Sequence, residues 1–208
     1  MIIERLEVGV FGENCYIVGC KSTKEGVIID PGDEIDRILK KLDAVQLQTK
    51  YILVTHAHLD HIKELKAIQE KINVPTLMNK KDEFLLENLP AQASAFGLSC
   101  SGIPRIDRYI HEGDTVQFGN IKFNVLETPG HSPGSVTFYT TDCAFVGDVL
   151  FSGSIGRTDL PGGNYDVLID SIKRKLFPLG DKLQIFPGHG PSTNISIEKT
   201  TNPFLIQD

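Results

Sequence analysis

Closely spaced cysteines are missing from this chain. Its 4 cysteines, Cys15, Cys20, Cys100 and Cys143, stand far apart with no CxxC pair, so neither a zinc knuckle nor a disulfide framework is suggested. They read as reduced, partly buried thiols of a cytoplasmic protein. Long apolar runs are missing too. No stretch could span a bilayer, and the N-terminus, "MIIERLEVGVFGENCYIV", is interrupted by Glu4, Arg5 and Glu7 and has no basic leader. Positive charge is in deficit: 21 Lys and Arg face 27 Asp and Glu, a formal net charge of -6. That argues against a nucleic-acid or membrane surface, because phosphate binding depends on neutralising Lys and Arg. Repeats, low-complexity tracts and linker-like segments are also absent. The 208 residues therefore read as one domain, 1–208, long enough to bury a substantial core.

What is present is a series of short apolar runs punctuated by turns, with 19 glycines and 11 prolines among them. "RLEVGVFG", "NCYIVGC" and "GVIIDPG" alternate as strands of an antiparallel meander. "DEIDRILKKLDAV" puts Ile35, Ile38, Leu39 and Leu42 at helical spacing, and "YILVTH" has the apolar run of a buried strand. "IKELKAIQEKI" predicts one helix with Ile62, Leu65, Ile68 and Ile72 near one face. "VPTLMN" reads as the next strand, and residues 80–105 as a helix and loop over the core. Further on, "DTVQFGNIKFNVLETPGH" predicts a hairpin turning at Gly119 and Asn120, and "SVTFYTT" and "CAFVGD" predict strands. "NYDVLIDSIKRKLF" predicts a helix with Asn164 as N-cap, and "KLQIFPGHG" the last strand. Two halves of strands followed by helices imply two packed sheets clad by helices.

The polar residues just past the apolar strands carry the chemistry. They are His56, His58, Asp60 and His61 in "THAHLDH", His131 after "FNVLETPG", Asp148 after "CAFVG", and His189 after "LQIFPG". Strand ends in layered α/β proteins meet at one rim, where loops gather sequence-distant residues. All but one of the 6 histidines share this context; the exception, His111 in "RYIHEGD", is read as a solvated side chain. Imidazole and carboxylate donors without thiolate suit zinc, iron or manganese. The two-residue period directs His56 and His58 the same way, toward one ion, while Asp60 and His61 are carried onward as the helix begins. Two divalent ions per chain are expected, zinc first, with iron or manganese as alternatives.

The order HxHxDH, His, Asp, His resembles the metallo-β-lactamase fold superfamily across nearly the whole chain. Within it, "FGENCYIV", "IIDPGD", "TPGHSPGS" and "GDVLFSGSIGRTDLPGG" are similar to the glyoxalase II-like hydrolases, in a short form without their C-terminal helical domain. The resemblance implies an α/β fold, the αβ/βα four-layer sandwich of two mixed sheets flanked by helices, with its site at one edge. It assigns His56, His58 and His131 to one ion, Asp60, His61 and His189 to the other, and Asp148 to both. Asp60 and Asp148 are then the catalytic carboxylates. Water between the ions would lose a proton near neutral pH, giving a bridging hydroxide nucleophile that Asp60 orients.

The expected substrate is a small-molecule thioester of a 2-hydroxy acid, such as S-lactoylglutathione. A thiolate leaves without a general acid, and none is evident in the sequence. Arg157 in "GSIGRTDLPGG" matches a basic position that binds glutathione and could pair a carboxylate bidentately, although Asp159 stands where such enzymes carry an aromatic residue. The same "GRTD" resembles persulfide dioxygenases, which hold one iron at positions matching His56, His131 and Asp148; this is the alternative reading. A nuclease is disfavoured by the acidic charge, and a lactamase by a carboxylate at Asp148, where those enzymes typically place a thiolate.

Overall fold

The computed structural model describes residues 1–206. Strands β1 (Ile2–Val8), β2 (Glu13–Gly19) and β3 (Glu25–Ile29) form the expected antiparallel meander. Helix α1 (Ile35–Val45) then crosses over, so that β4 (Gln48–Leu53) lies parallel to β3. The short strands β5 (Thr76–Met78) and β6 (Arg108–Tyr109) extend that sheet in parallel, in the order β1-β2-β3-β4-β5-β6.

The second sheet starts with the predicted hairpin of β7 (Thr115–Phe118) and β8 (Ile121–Glu127), continues through β9 (Val136–Tyr139) and β10 (Cys143–Gly147), and has a separate ribbon, β11 (Leu150–Phe151) with β12 (Ser154–Ile155), beside it. β13 (Gln184–Pro187) pairs parallel to β10, and β14 (Thr193–Asn194) closes the order β14-β13-β10-β9-β8-β7. Both sheets mix parallel and antiparallel pairs.

Period-2 alternation divides each strand between two cores. In β2, Tyr16 and Val18 face the second sheet, where they meet Phe123, Phe138 and Phe145, while Cys15 and Ile17 face outward toward Ile38 and Leu42 of α1. In β10, Phe145 faces inward, and Ala144 and Val146 pack outward under Leu168 and Ile172. The layers are thus helix, sheet, sheet, helix, the αβ/βα sandwich expected.

Four local readings differ. The helix expected from Ile62 is two pieces, α2 (Leu59–Ile62) and α3 (Leu65–Lys71), because tertiary bonds take over the backbone between them: Glu64 N donates to Gly32 O at 3.0 Å, and Ser101 N to Lys63 O at 3.1 Å. Gly32 also lies so close that a Cβ there would sit 1.6 Å from the Asp60 carbonyl oxygen. Residues 80–105 carry two short helices, α4 (Glu83–Glu87) and α5 (Leu89–Ala95). Asn164 caps α6 (Tyr165–Asp170) by accepting from Val167 N, but the rest of the predicted helix winds as a π-type segment over Ser171–Leu176. Finally, β13 is not the last element: the chain continues through β14 into α7 (Ile195–Thr201), capped by the Asn194 side chain.

Candidate metal centre

Four strand ends deliver the seven candidate ligands. The loop after β4 carries His56 and His58, with Asp60 and His61 on α2. The loop after β8 carries His131, the end of β10 carries Asp148, and the loop after β13 carries His189. The structure brings all seven together. His56, His58 and His131 form one group of converging donor atoms and Asp60, His61 and His189 a second, the atoms of each lying within 4.8 Å of one another. His131 Nε2 stands 2.7 Å from His58 Nδ1 and 3.1 Å from His56 Nε2. Asp148 lies between the groups, 3.3 Å from His61 Nε2, 3.6 Å from His131 Nε2 and 3.5 Å from His189 Nε2. His189 Nε2 is also 3.1 Å from Asp60.

Hydrogen bonds behind the cluster set which nitrogen faces inward. His131 Nδ1 donates to Arg157 O at 2.7 Å, leaving Nε2 a bare acceptor. His61 Nδ1 donates to Asp30 Oδ2 at 3.0 Å, which does the same for its Nε2. In the neutral rings the facing nitrogens are lone pairs pointing at lone pairs, an arrangement that calls for a cation, a proton or a metal ion, between them. Buried polar atoms without partners point the same way: His61 Nε2 and Asp148 Oδ1 have none among the described residues. The donor set fits a divalent metal ion.

Electrostatics agree with that fit. Burial, reinforced by repulsion from neighbouring imidazoles, holds His56 well below its ordinary pKa, and burial with His131 brings His58 down to about 3, so both are neutral ligands. Burial would lower His61 as well, but Asp148 and Asp60 outweigh it and hold that pKa well above normal. Burial works to raise Asp148, and His61 overrides it, keeping the carboxylate ionised.

Several contributors escaped the sequence reading. Asp30 accepts from Thr55 N, Thr55 Oγ1 and His61 Nδ1. It follows a strand as the other ligands do, so the same strand-end rule finds it. Asp82 accepts from Ala57 N, Ser132 Oγ and Gly134 N, tying the loop of His56 to the loop of His131; nothing in the polar run "NKKDEF" signals this. Glu13, fully buried, places a carboxyl 3.7 Å from His61 Nδ1, and burial pushes its pKa well up.

Above the cluster opens a cleft of about 390 Å³, lined by Phe11, Leu59, Phe96, Phe151, Ile155 and Leu160 among others. Arg157 reaches this rim, but its guanidinium is held bidentately by Asp159, Nε to Oδ1 and Nη2 to Oδ2, both at 2.7 Å. His111 is exposed and lies apart from the cluster.

Comparison with known proteins gives a consistent picture. The model of the metallo-beta-lactamase superfamily matches residues 8–189. The hydroxyacylglutathione hydrolase GloC of Haemophilus influenzae is 41% identical over 214 residues, covering 99% of this chain and 98% of its own. Among solved structures, the B3 metallo-beta-lactamase BLEG-1 superposes with a TM-score of 0.92 at 36% identity, over 99% of this chain and 100% of that one. TTHA1623 in a di-iron-bound form gives 0.89 at 39% identity, over 97% and 100%.

Proposed function

The chain belongs to the metallo-beta-lactamase superfamily, and from that premise we propose that it is a metal-dependent hydrolase of 2-hydroxyacyl thioesters, with S-lactoylglutathione as the reference substrate. The observation that carries the reading is the pair of donor groups with Asp148 between them. We assign His56, His58 and His131 to one divalent ion, Asp60, His61 and His189 to a second, and Asp148 to both. Zinc is the first choice; the di-iron form of TTHA1623 makes iron the second.

Bound there, divalent ions supply a nucleophile from water at neutral pH and polarise the carbonyl under attack. The protein's own part is positional. Asp60 keeps a carboxylate oxygen at the floor of the cleft, where it would accept a hydrogen bond from the nucleophile and orient it. Asp30 and the Arg157 carbonyl lock the His61 and His131 rings. Phe11, Phe96 and Leu160 line the cleft with apolar surface that sheds water when substrate enters. Among the described residues lining the cleft there is no Lys, Tyr or Cys to act as a general acid. A thioester needs none, because a thiolate leaves readily. The relative named hydroxyacylglutathione hydrolase supports the same choice.

The test is metal analysis of the purified protein, with thiol release from S-lactoylglutathione measured beside oxygen uptake with glutathione persulfide and turnover of a β-lactam. Two ions per chain and thiol release are expected. One iron per chain, oxygen consumption and no thiol release would establish the persulfide dioxygenase alternative instead.

A further inference from the structure

The walls of the cleft are poorly suited to an anionic thiol. Glutathione carries two carboxylates and one ammonium, and recognising it calls for free cations. Among the described residues lining the cleft, Arg157 is the one Lys or Arg side chain, and the Nε–Nη2 edge of its guanidinium is taken by Asp159. A substrate carboxylate would meet the Nη1 edge of a guanidinium whose charge Asp159 already offsets, with the Asp159 carboxylate beside the incoming anion, so the contact gains little. A formal net charge of -6 overall adds a diffuse repulsion. Gln92 has no grip to offer either. Its Oε1 accepts from Leu59 N, and its Nε2 donates to Ala57 O and Leu85 O.

Apolar surface is plentiful at the same place. Phe11, from the turn between β1 and β2, and Phe96, just past α5, meet edge to face at 5.2 Å. They remain 40% and 55% exposed, so a ligand that covers them removes large aromatic area from water. A lactoyl group offers little apolar area, and Phe11 and Phe96 line the same cleft as His58, Asp60 and His131. The aromatic pair, with Phe151 and Leu160, is left for the other half of the thioester.

We propose that this cleft selects thioesters whose thiol half is uncharged and apolar, with Phe11 and Phe96 as the specificity-determining contact and Asp159 offsetting the charge of Arg157. This rests on the thioesterase reading above. The test compares kcat/KM for the lactoyl thioesters of benzyl mercaptan, N-acetylcysteamine and glutathione. The benzyl ester is expected to exceed the glutathione ester at least tenfold. Phe96→Ala should lower kcat/KM on the benzyl ester by about tenfold, mostly through KM, from the lost aromatic burial. Asp159→Asn should free Arg157 and raise kcat/KM on the glutathione ester several-fold, in a salt-sensitive way. Preference for the glutathione ester in the wild-type protein, with loss of that preference in Arg157→Gln, would overturn the proposal while leaving a thioesterase. Cleavage of none of the three esters by metal-loaded protein would overturn both.

Discussion

Asp30 Oδ2 accepts a hydrogen bond from His61 Nδ1 at 3.0 Å, on the side of the ring opposite the metal cluster. The same carboxylate accepts from Thr55 N at 2.7 Å and Thr55 Oγ1 at 2.5 Å, and its backbone sits at φ 51, a left-handed conformation that side chains other than glycine seldom adopt. Three donors converge on one acid. In Asp30→Asn an amide N–H must face at least one of them, so His61 loses its fixed tautomer. Metal affinity should fall roughly ten- to a hundredfold, read by titration against a competing chelator. Wild-type affinity in this variant would show that Asp30 does not position His61.

Gly188 shapes the opposite wall. A Cβ on it would lie 2.2 Å from Asp148 Oδ1 and 2.8 Å from His61 Cε1, so Gly188→Ala must push apart two of the candidate ligands. The overpacking should cost about 1–3 kcal/mol in urea unfolding. Turnover should drop far more, over a hundredfold, with metal content reduced. Full activity with full metal occupancy would mean that the loop moves without disturbing Asp148.

The sandwich and the seven-residue cluster were legible because each rests on a repeated local signal, an apolar run followed by a histidine or aspartate. The inner and outer faces of β2 and β10 follow from simple alternation. Two-residue strands such as β6, β12 and β14 have no period to detect. The break between α2 and α3 is imposed by the Gly32 carbonyl, a partner far off in sequence. Asp82 was hidden for the same reason: its three bonds reach Ala57, Ser132 and Gly134, and only the fold brings those loops together. Arg157 was read from a motif match; its bidentate capture by Asp159 depends on loop conformation.

The histidines should separate cleanly on substitution. His58 is buried with Nδ1 at the cluster, whereas the His111 side chain is 61% exposed, beside Asp114. His58→Ala and Asp148→Ala should abolish turnover while circular dichroism stays native, and His111→Ala should leave kcat and KM unchanged. Undiminished turnover in either of the first two would remove that residue from the ligand set.

Metal removal and pH should act together. With the cluster emptied by a chelator, His61 and His189 have pKa values raised above 6.5: burial opposes the shift at both, and Asp148 and Asp60 outweigh it. A histidine with a raised folded-state pKa contributes stability that is complete below its unfolded value and is lost as pH climbs through the folded value. Glu13, whose pKa burial raises from 4.5, adds a penalty of the same sign once it is forced to ionise. Metal-free protein should therefore lose stability as pH rises above 6.5. Metal binding requires those imidazoles deprotonated, so affinity strengthens over the same range. The gap between the Tm of the metal-loaded and chelated protein should widen steadily with pH above 6.5. Thermal unfolding of both forms across a pH series measures it, and a gap that narrows or stays constant would show that His61 and His189 do not compete with protons for the metal.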